Sequence, residues 1–383
     1  MLFLVDFLIV GAGISGLLVA RELLAEGASV CLIDRGQSGK EASWAGGGIV
    51  SPLYPWRYCD AVTALASQAQ RVYPELTTQL LAETGIDPEY RACGLLMLET
   101  HDRQQALDWS QRHKRDIRAW GENEIYARES ALAPGSRHAM WMPSVANVRN
   151  PRLLQALRAS VLGSAAAELR EHCEFVSLVT TGSEVIGAHV NNAGQLLQVH
   201  AGRIIVTAGA WAGQLIAAMP SADPVQIEPV KGEMLLYRTE RPLLRSILLS
   251  AGRYLIPRED NLILVGSTLE YCGFDKTSTK SARLSLSASA VSLLPALQDA
   301  EVVAQWAGLR PGSPGGVPFI GKIHGLDNVY INAGHFRNGL VLAPASARLL
   351  VDIILGRKTD IDPSPYDPAL LRQSSSFGSR IYL

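Results

Sequence analysis

Residues 6–16, Asp-Phe-Leu-Ile-Val-Gly-Ala-Gly-Ile-Ser-Gly, constrain the fold more tightly than any other stretch of the chain. Phe7 to Val10 is a short apolar run of the kind made by a strand buried on both faces, and Gly11 breaks it. Gly11, Gly13 and Gly16 then give the spacing G-x-G-x-x-G. Apolar periodicity predicts a helix over 14–26, with Gly27 as its stop. A second strand over 28–33 ends in Asp34. Strand, glycine turn, helix and strand in that order form a dinucleotide-binding unit. Gly11 permits the tight turn, Gly13 lets the backbone approach a pyrophosphate, and Gly16 lets helix and strand pack closely. The helix N-terminus offers free N–H groups and a partial positive charge to phosphates. Asp34 is placed to accept hydrogen bonds from the adenosine ribose. The unit does not by itself separate FAD from NAD.

The rest of the composition excludes more than it selects. At 383 residues the chain is long enough for two domains. Thirty-five Lys and Arg balance 36 Asp and Glu, which leaves no basic face for a nucleic acid. The densest basic run, 112–118, reads as a solvated helix face. Residues 1–10 carry Asp6 and no basic flank, so a first strand is expected there and not a signal peptide. No run of about 18 apolar residues predicts a membrane span. Five cysteines are scattered without a C-x-x-C, which suits reduced thiols in the cytoplasm. The eight histidines show no H-x-H or H-x-x-x-H pairing, so no metal site is expected.

Residues 41–52 run Glu-Ala-Ser-Trp-Ala-Gly-Gly-Gly-Ile-Val-Ser-Pro. Three successive glycines after small residues mean backbone passing close to something, and Trp44, Ile49 and Val50 predict an ordered loop. Helical spacing follows over 60–80, then a strand pair over 90–99 and an amphipathic helix over 103–120. Another helix is expected from Asn150 to about 162, with Asn150 as N-cap and Pro151 at its first position. Strands are expected over 167–179 and 185–200 around a polar turn at 181–184, then a buried strand from 202 and a helix over 211–218. Long alternating strands at 232–239, 254–257 and 262–268, with a hairpin at 259–261, indicate a broad antiparallel sheet in a second domain. A helix over 284–294, strands at 302–309 and 329–333, and a terminal helix over 338–355 stopped by Gly356 complete the pattern. The polar tail at 373–379 is expected to be loose.

Four blocks carry a resemblance. They are 10–16 with Asp34-Arg35, 206–213 (Val-Thr-Ala-Gly-Ala-Trp-Ala-Gly), 306–311 (Trp-Ala-Gly-Leu-Arg-Pro) and 334–340 (Gly-His-Phe-Arg-Asn-Gly-Leu). Together they resemble the FAD-dependent D-amino acid oxidase superfamily, most closely its glycine oxidase branch tied to thiamine biosynthesis. The resemblance covers nearly the whole chain in order and implies FAD in place of NAD. It implies an α/β fold with a Rossmann-like, glutathione-reductase-type FAD-binding domain made of 1–80, 150–222 and 304–383. The inserted α+β substrate domain, 81–149 and 223–303, is built on an antiparallel sheet. The implied cofactor contacts begin with Gly11, Gly13, Ile14, Ser15, Gly16, Asp34 and Arg35. The loop adds Ala42, Ser43, Gly46, Gly47, Gly48 and Ile49, and further contacts come from Phe175, Ala208, Gly209 and Trp211. The last block supplies His335, Phe336, Asn338, Gly339, Leu340 and Val341.

Oxidising an amino acid at its α-carbon needs a cation for the carboxylate, a Cα–H aimed at the flavin, and a donor for the charge that grows on the reduced ring. Arg310 ends an apolar strand between Leu309 and Pro311, where a surface arginine is out of place, and by resemblance it clamps the carboxylate. Arg337 at the head of the last helix is the second cation, at a helix end whose dipole does not favour one. Tyr254 matches a family tyrosine that faces the substrate; on the residues alone it is equally a cross-strand aromatic. The turn Asn338-Gly339-Leu340 can offer N–H groups to the flavin pyrimidine carbonyl. Two substrate-lining positions depart from the pattern: Gly252 stands where the branch carries histidine, and Leu269 where it carries methionine. No cysteine lies in 310–321, where sarcosine oxidases attach their flavin, so non-covalent FAD is expected. The implied reaction deaminates glycine or another small amino acid with molecular oxygen, giving a 2-oxo acid, ammonia and hydrogen peroxide. The alternative is a flavin dehydrogenase for a D- or secondary amino acid, such as sarcosine or proline, with a different acceptor. A homo-oligomer is compatible with either.

Overall fold

The computed structural model describes residues 4–181 and 184–370. Residues 1–3, part of the turn at 181–184 and the tail at 373–379 lie outside the described residues.

The opening unit forms as its sequence dictates. Leu4–Val10 pairs in parallel with Val30–Ile33 on one side and Gln195–Val206 on the other, with Ile14–Ala25 as the crossover helix. The sheet runs Phe319–Lys322, Val329–Ala333, Gln195–Val206, Leu4–Val10, Val30–Ile33, Ala167–Arg170. Alternation along these strands splits the core into two layers. Phe7, Ile9 and Leu32 face helices Ile14–Ala25, Asp60–Thr84, Asn150–Leu162 and Gly339–Ile354. Leu8, Val10 and Ile33 face the layer that contains Cys173–Thr181 and Glu184–Asn192. Both faces are covered, which is why these strands read as unbroken apolar runs.

The second sheet is nearly all antiparallel. It runs Glu301–Gly312, Glu228–Arg238, Leu262–Gly266, Arg253–Pro257, Ile247–Ser250, Leu95–Leu98, His138–Met142, Arg118–Gly121. One face, with Leu235, Tyr237 and Leu255, packs on helix Lys280–Leu293. The other, with Met234, Tyr254 and Ile256, packs with Trp56 and Trp109. The α/β class with a broad antiparallel sheet is thus the observed architecture, and no helix among the described residues is long and apolar enough to cross a membrane.

Several elements differ from expectation. The strand pair at 90–99 is two strands in different sheets. Arg91–Ala92 pairs with Ala146–Asn147, while Leu95–Leu98 joins the large sheet. Gly94, at φ +79°, turns the chain between them, with Trp141 filling the space a side chain would take. The helix expected to reach 120 is Arg103–His113; it stops where Lys114 turns left-handed, and Arg118–Gly121 is an edge strand whose Trp120 stacks on Trp141. The basic run 112–118 therefore straddles a helix end. The strand at 167–179 breaks at His172, φ +55°, and that at 185–200 folds back at Ala193-Gly194, both with positive φ. Short strands Ile247–Ser250 and Phe319–Lys322 carried no periodic signal. Asn150 does not cap its helix: it is the first helical residue, and its amide donates to the Ser43 carbonyl at 2.7 Å. A domain boundary at 303/304 falls inside the strand Glu301–Gly312, which pairs along Glu228–Arg238.

Candidate active site

A cleft of about 370 Å³ opens at the C-terminal ends of the parallel strands, where Val10, Ile33, Thr207 and Ala333 reach its wall, and extends to the second sheet at Met234, Tyr254 and Arg310. The strand ends of an open α/β sheet are where its ligands bind. Gly11 has φ +108°, and a Cβ there would sit 2.7 Å from the Thr207 carbonyl oxygen. At Gly16 a Cβ would lie 2.0 Å from the Gly11 oxygen, so helix and strand touch backbone to backbone. The helix starts at Gly13 without a capping side chain; Ser43 Oγ accepts only the Ile14 N–H, at 3.0 Å. Asp34 holds this turn together, accepting from Ala12 N–H and Gly36 N–H at 2.9 Å each. Burial raises its pKa above the usual carboxylate value, against the pull of those two bonds. Arg35 lies 4.0 Å over the Trp211 ring.

The glycine run at 46–48 is fixed from behind. Arg258, buried, donates to Asn147 Oδ1, the Val148 carbonyl and the Gly47 carbonyl at 2.7–2.9 Å. Burial pushes its pKa down to about 10. Gly48, φ +77°, has the Val148 oxygen 2.1 Å from any Cβ, so no side chain fits. Gly47 abuts Tyr254, whose Cε2 would be 3.0 Å away.

At the far end of the cleft the Arg310 guanidinium is held, among the described residues, by neutral acceptors. Nη1 donates to the Lys231 and Thr268 carbonyls at 3.2 Å, and Nη2 to Ser267 Oγ at 2.6 Å. No described acid pairs with it. Burial pushes its pKa down to about 10, with Arg337 close enough to add to the effect, and at neutral pH it stays cationic. Gly232 makes its seat: a Cβ there would fall 2.2 Å from Nη2. Tyr254 stands beside it, its hydroxyl donating to Met234 Sδ at 3.3 Å. Tyr58 and Tyr54 join this cluster. The field at Tyr58 comes from Arg337 and Arg310, and its hydroxyl lies against Asn338. The Tyr54 hydroxyl lies against the Gly252 amide, and Arg57, locked bidentately on Asp102, covers its ring at 4.1 Å.

The sequence profile of the DAO family, FAD dependent oxidoreductase, matches residues 6–353. The chain belongs to that family. A glycine oxidase of Pseudomonas aeruginosa is 50% identical over 361 residues, covering 94% of this chain and 98% of the relative. One from Pseudomonas putida is 49% identical over 94% of the chain and 97% of the relative. The crystal structure of glycine oxidase from Geobacillus kaustophilus superposes with TM-score 0.86 at 28% identity, covering 96% of this chain and 98% of that one.

Members of the DAO family use FAD, and the cleft suits it. Asn332 is fully buried in the wall, and among the described residues neither its amide nitrogen nor its oxygen has a partner. A ligand with donors and acceptors satisfies such a group, and an empty apolar cavity does not. The glycine turn leaves the approach to the helix N-terminus clear for phosphate oxygens.

Most of the residues picked from sequence meet here. Gly11, Gly13, Ile14, Ser15, Asp34 and Arg35 form one wall, and Ala42, Ser43 and Gly46 the next. Phe175, Ala208, Gly209, Trp211, His335, Phe336, Gly339 and Leu340 line it too, as do Tyr254, Arg310 and Arg337. Others do not line the cleft. Gly16 packs behind the turn, Gly47, Gly48 and Ile49 belong to the loop's anchorage, and the Val341 side chain is in the helical core. Asn338 is buried beside Tyr58. Gly252 is the second residue of the hairpin turn Ala251-Gly252, both with positive φ, and Leu269 is half-buried beyond the strand end. Sequence reasoning missed Asn332, Arg258, Gly232 and the Tyr54–Tyr58 segment. Its run Tyr-Pro-Trp-Arg-Tyr, three aromatics around an arginine before a helix, was the available signal.

Proposed function

We propose that this protein is a glycine oxidase: it takes a small amino acid, oxygen and water and returns a 2-oxo acid, ammonia and hydrogen peroxide. The observation that carries the reading is Arg310, a half-buried guanidinium at the end of a dinucleotide cleft with no acid paired to it among the described residues. Such a cation is stable beside a bound anion, and a planar fork matches a carboxylate with two parallel hydrogen bonds. The glycine oxidases among the relatives, half identical over nearly the whole length, support the same reaction over a dehydrogenase.

On this reading the first sheet carries the cofactor and the second carries the substrate. Bound FAD supplies the two-electron acceptor for the Cα–H and passes the electrons to oxygen. The chain supplies the rest. Arg310 binds the carboxylate, Arg337 adds positive field, and Tyr254 stands beside Arg310. With the carboxylate fixed and the walls apolar, the α-carbon is held toward the cofactor and water is kept from it. The amine enters neutral, so no side-chain base is required. Asp34 and the glycine turn hold the adenosine and pyrophosphate end, and the N-terminus of Gly339–Ile354 lends its N–H groups to negative charge at the ring. We hold the FAD to be non-covalent. Cys173 reaches the cleft wall, but burial raises its thiol pKa, which leaves it an unreactive thiol. Free cysteines suit the reducing cytoplasm as the site of action.

Oxygen uptake by the purified holoenzyme across glycine and a panel of L-, D- and N-methyl amino acids tests the proposal. Turnover is expected with glycine and other small substrates. Uptake with none of them, or with carboxylate-free amines alone, overturns it.

A further inference from the structure

Lys231 and Glu233 form an ion pair inside the second sheet, with Lys231 1% exposed and Glu233 fully buried, 3.3 Å apart. They lie on the face of Glu228–Arg238 turned away from the cleft, in the row continued by Leu235 and Tyr237 against helix Lys280–Leu293. Burying two opposite charges costs several kcal/mol per ion, and apolar residues of similar size serve stability as well or better. The pair must therefore be explained by what it holds.

It holds the segment 267–279, which crosses from the end of strand Leu262–Gly266 to helix Lys280–Leu293. Lys231 Nζ donates to the Thr277 carbonyl at 2.5 Å. Glu233 accepts from the Thr279 N–H at 2.9 Å, the Thr279 hydroxyl at 3.0 Å and Gln305 Nε2 at 2.8 Å. The near end of the segment is tied to the same two residues. Lys231 and Glu270 exchange backbone hydrogen bonds at 2.9 and 3.0 Å, and Thr268 Oγ1 accepts the Glu233 N–H at 2.9 Å. All three acceptors that seat Arg310 lie in this closed ring of chain: Ser267 Oγ, the Thr268 carbonyl and the carbonyl of Lys231 itself.

We propose that the Lys231–Glu233 pair is a positioning unit for Arg310, clamping segment 267–279 so that the three acceptors aim the guanidinium into the cleft. The inference rests on Arg310 as the carboxylate clamp. Without the pair the segment loosens, the acceptors separate, and Arg310 samples orientations that miss the carboxylate. The α-carbon chemistry and the cofactor end of the cleft are untouched.

The test is a double-mutant cycle on the holoenzyme, with Lys231→Met, Arg310→Ala and the double variant. Readouts are kcat and KM for glycine, FAD content, and the Kd of acetate from its perturbation of the flavin spectrum. Lys231→Met is expected to keep its FAD and raise the glycine KM and acetate Kd about tenfold or more, with a smaller effect on kcat. In the Arg310→Ala background the same change is expected to add less than about twofold, because the group it positions is gone. Glu233→Gln, which keeps a carbonyl acceptor for Thr279, should follow Lys231→Met in weaker form. Effects that multiply across the two backgrounds, or loss of FAD along with the rise in KM, assign the pair to general stability and overturn the proposal. So does failure of both Lys231→Met and Glu233→Gln to fold. An Arg310→Ala enzyme with the parent's KM instead removes the clamp beneath it, a distinct result.

Discussion

Arg310 and Asp34 show how one residue can be charged with both binding and building. Arg310 donates to three neutral oxygens of its own sheet and also contacts the Tyr254 hydroxyl, so its positive charge is not cancelled within the site. Arg310→Ala is expected to fold and keep FAD while losing about 3–5 kcal/mol in kcat/KM for glycine, on the order of a hundred- to several-thousandfold. Simple amines, if oxidised, should be indifferent to the change, and lysine should rescue only in part because a point charge lacks the fork. Steady-state kinetics on glycine and a simple amine check this; an equal loss on both would show a scaffold and not a clamp. Asp34 carries two backbone N–H groups as well as its expected ribose bonds. Asp34→Ala should weaken FAD binding by about 1.5–3 kcal/mol, roughly ten- to a hundredfold, read by titrating FAD into apoprotein. An unchanged Kd would leave Asp34 as a strand-end acid only.

The strands Glu228–Arg238 and Glu301–Gly312 place the clamp by pairing Val230 with Arg310, so that the guanidinium folds over Gly232. Gly232→Ala would put a methyl group where that guanidinium lies. The far end of a long side chain gives way before a paired strand does, so the variant should fold, retain FAD and lose about tenfold or more in kcat/KM through KM. Wild-type kinetics would mean that Arg310 reaches the cleft by another route. The chain advertised some elements and hid others for the same physical reason. The unit at 7–34 was legible because glycine spacing, apolar runs and a terminal acid all act within one short stretch. The loop 41–50 announced close backbone approach, but Arg258, the group that holds it, lies far along the chain, just past the strand Arg253–Pro257 of the other sheet. The buried amide of Asn332 looks in sequence like any polar residue within a strand. Strand breaks at Gly94, His172 and Ala193-Gly194 turn on one or two residues of positive φ, which periodicity does not register.

At the scale of the molecule, two sheets meet edge to loop, and the cleft exists only where both are present. His335, in the turn before the last helix, lines the cleft, is 2% exposed and is bonded to Ser346 Oγ of that helix at 3.1 Å. Burial lowers the His335 pKa from 6.5 to about 4. Above pH 6.5 both folded and unfolded chains hold it neutral and it costs nothing. As the pH falls from 6.5 toward 4 only the unfolded chain takes the proton, so stability declines by up to about 3 kcal/mol and this contribution levels off below 4. His335→Gln should therefore lose less stability than the parent over that window in urea denaturation; parallel slopes would mean the folded imidazole protonates normally. The stoichiometry of glycine turnover under air tests the proposed reaction itself. Each ammonia released from glycine should be matched by one hydrogen peroxide and one 2-oxo acid, with one oxygen consumed. Ammonia formed only when a quinone or dye is added, with no peroxide and no oxygen uptake, would contradict it.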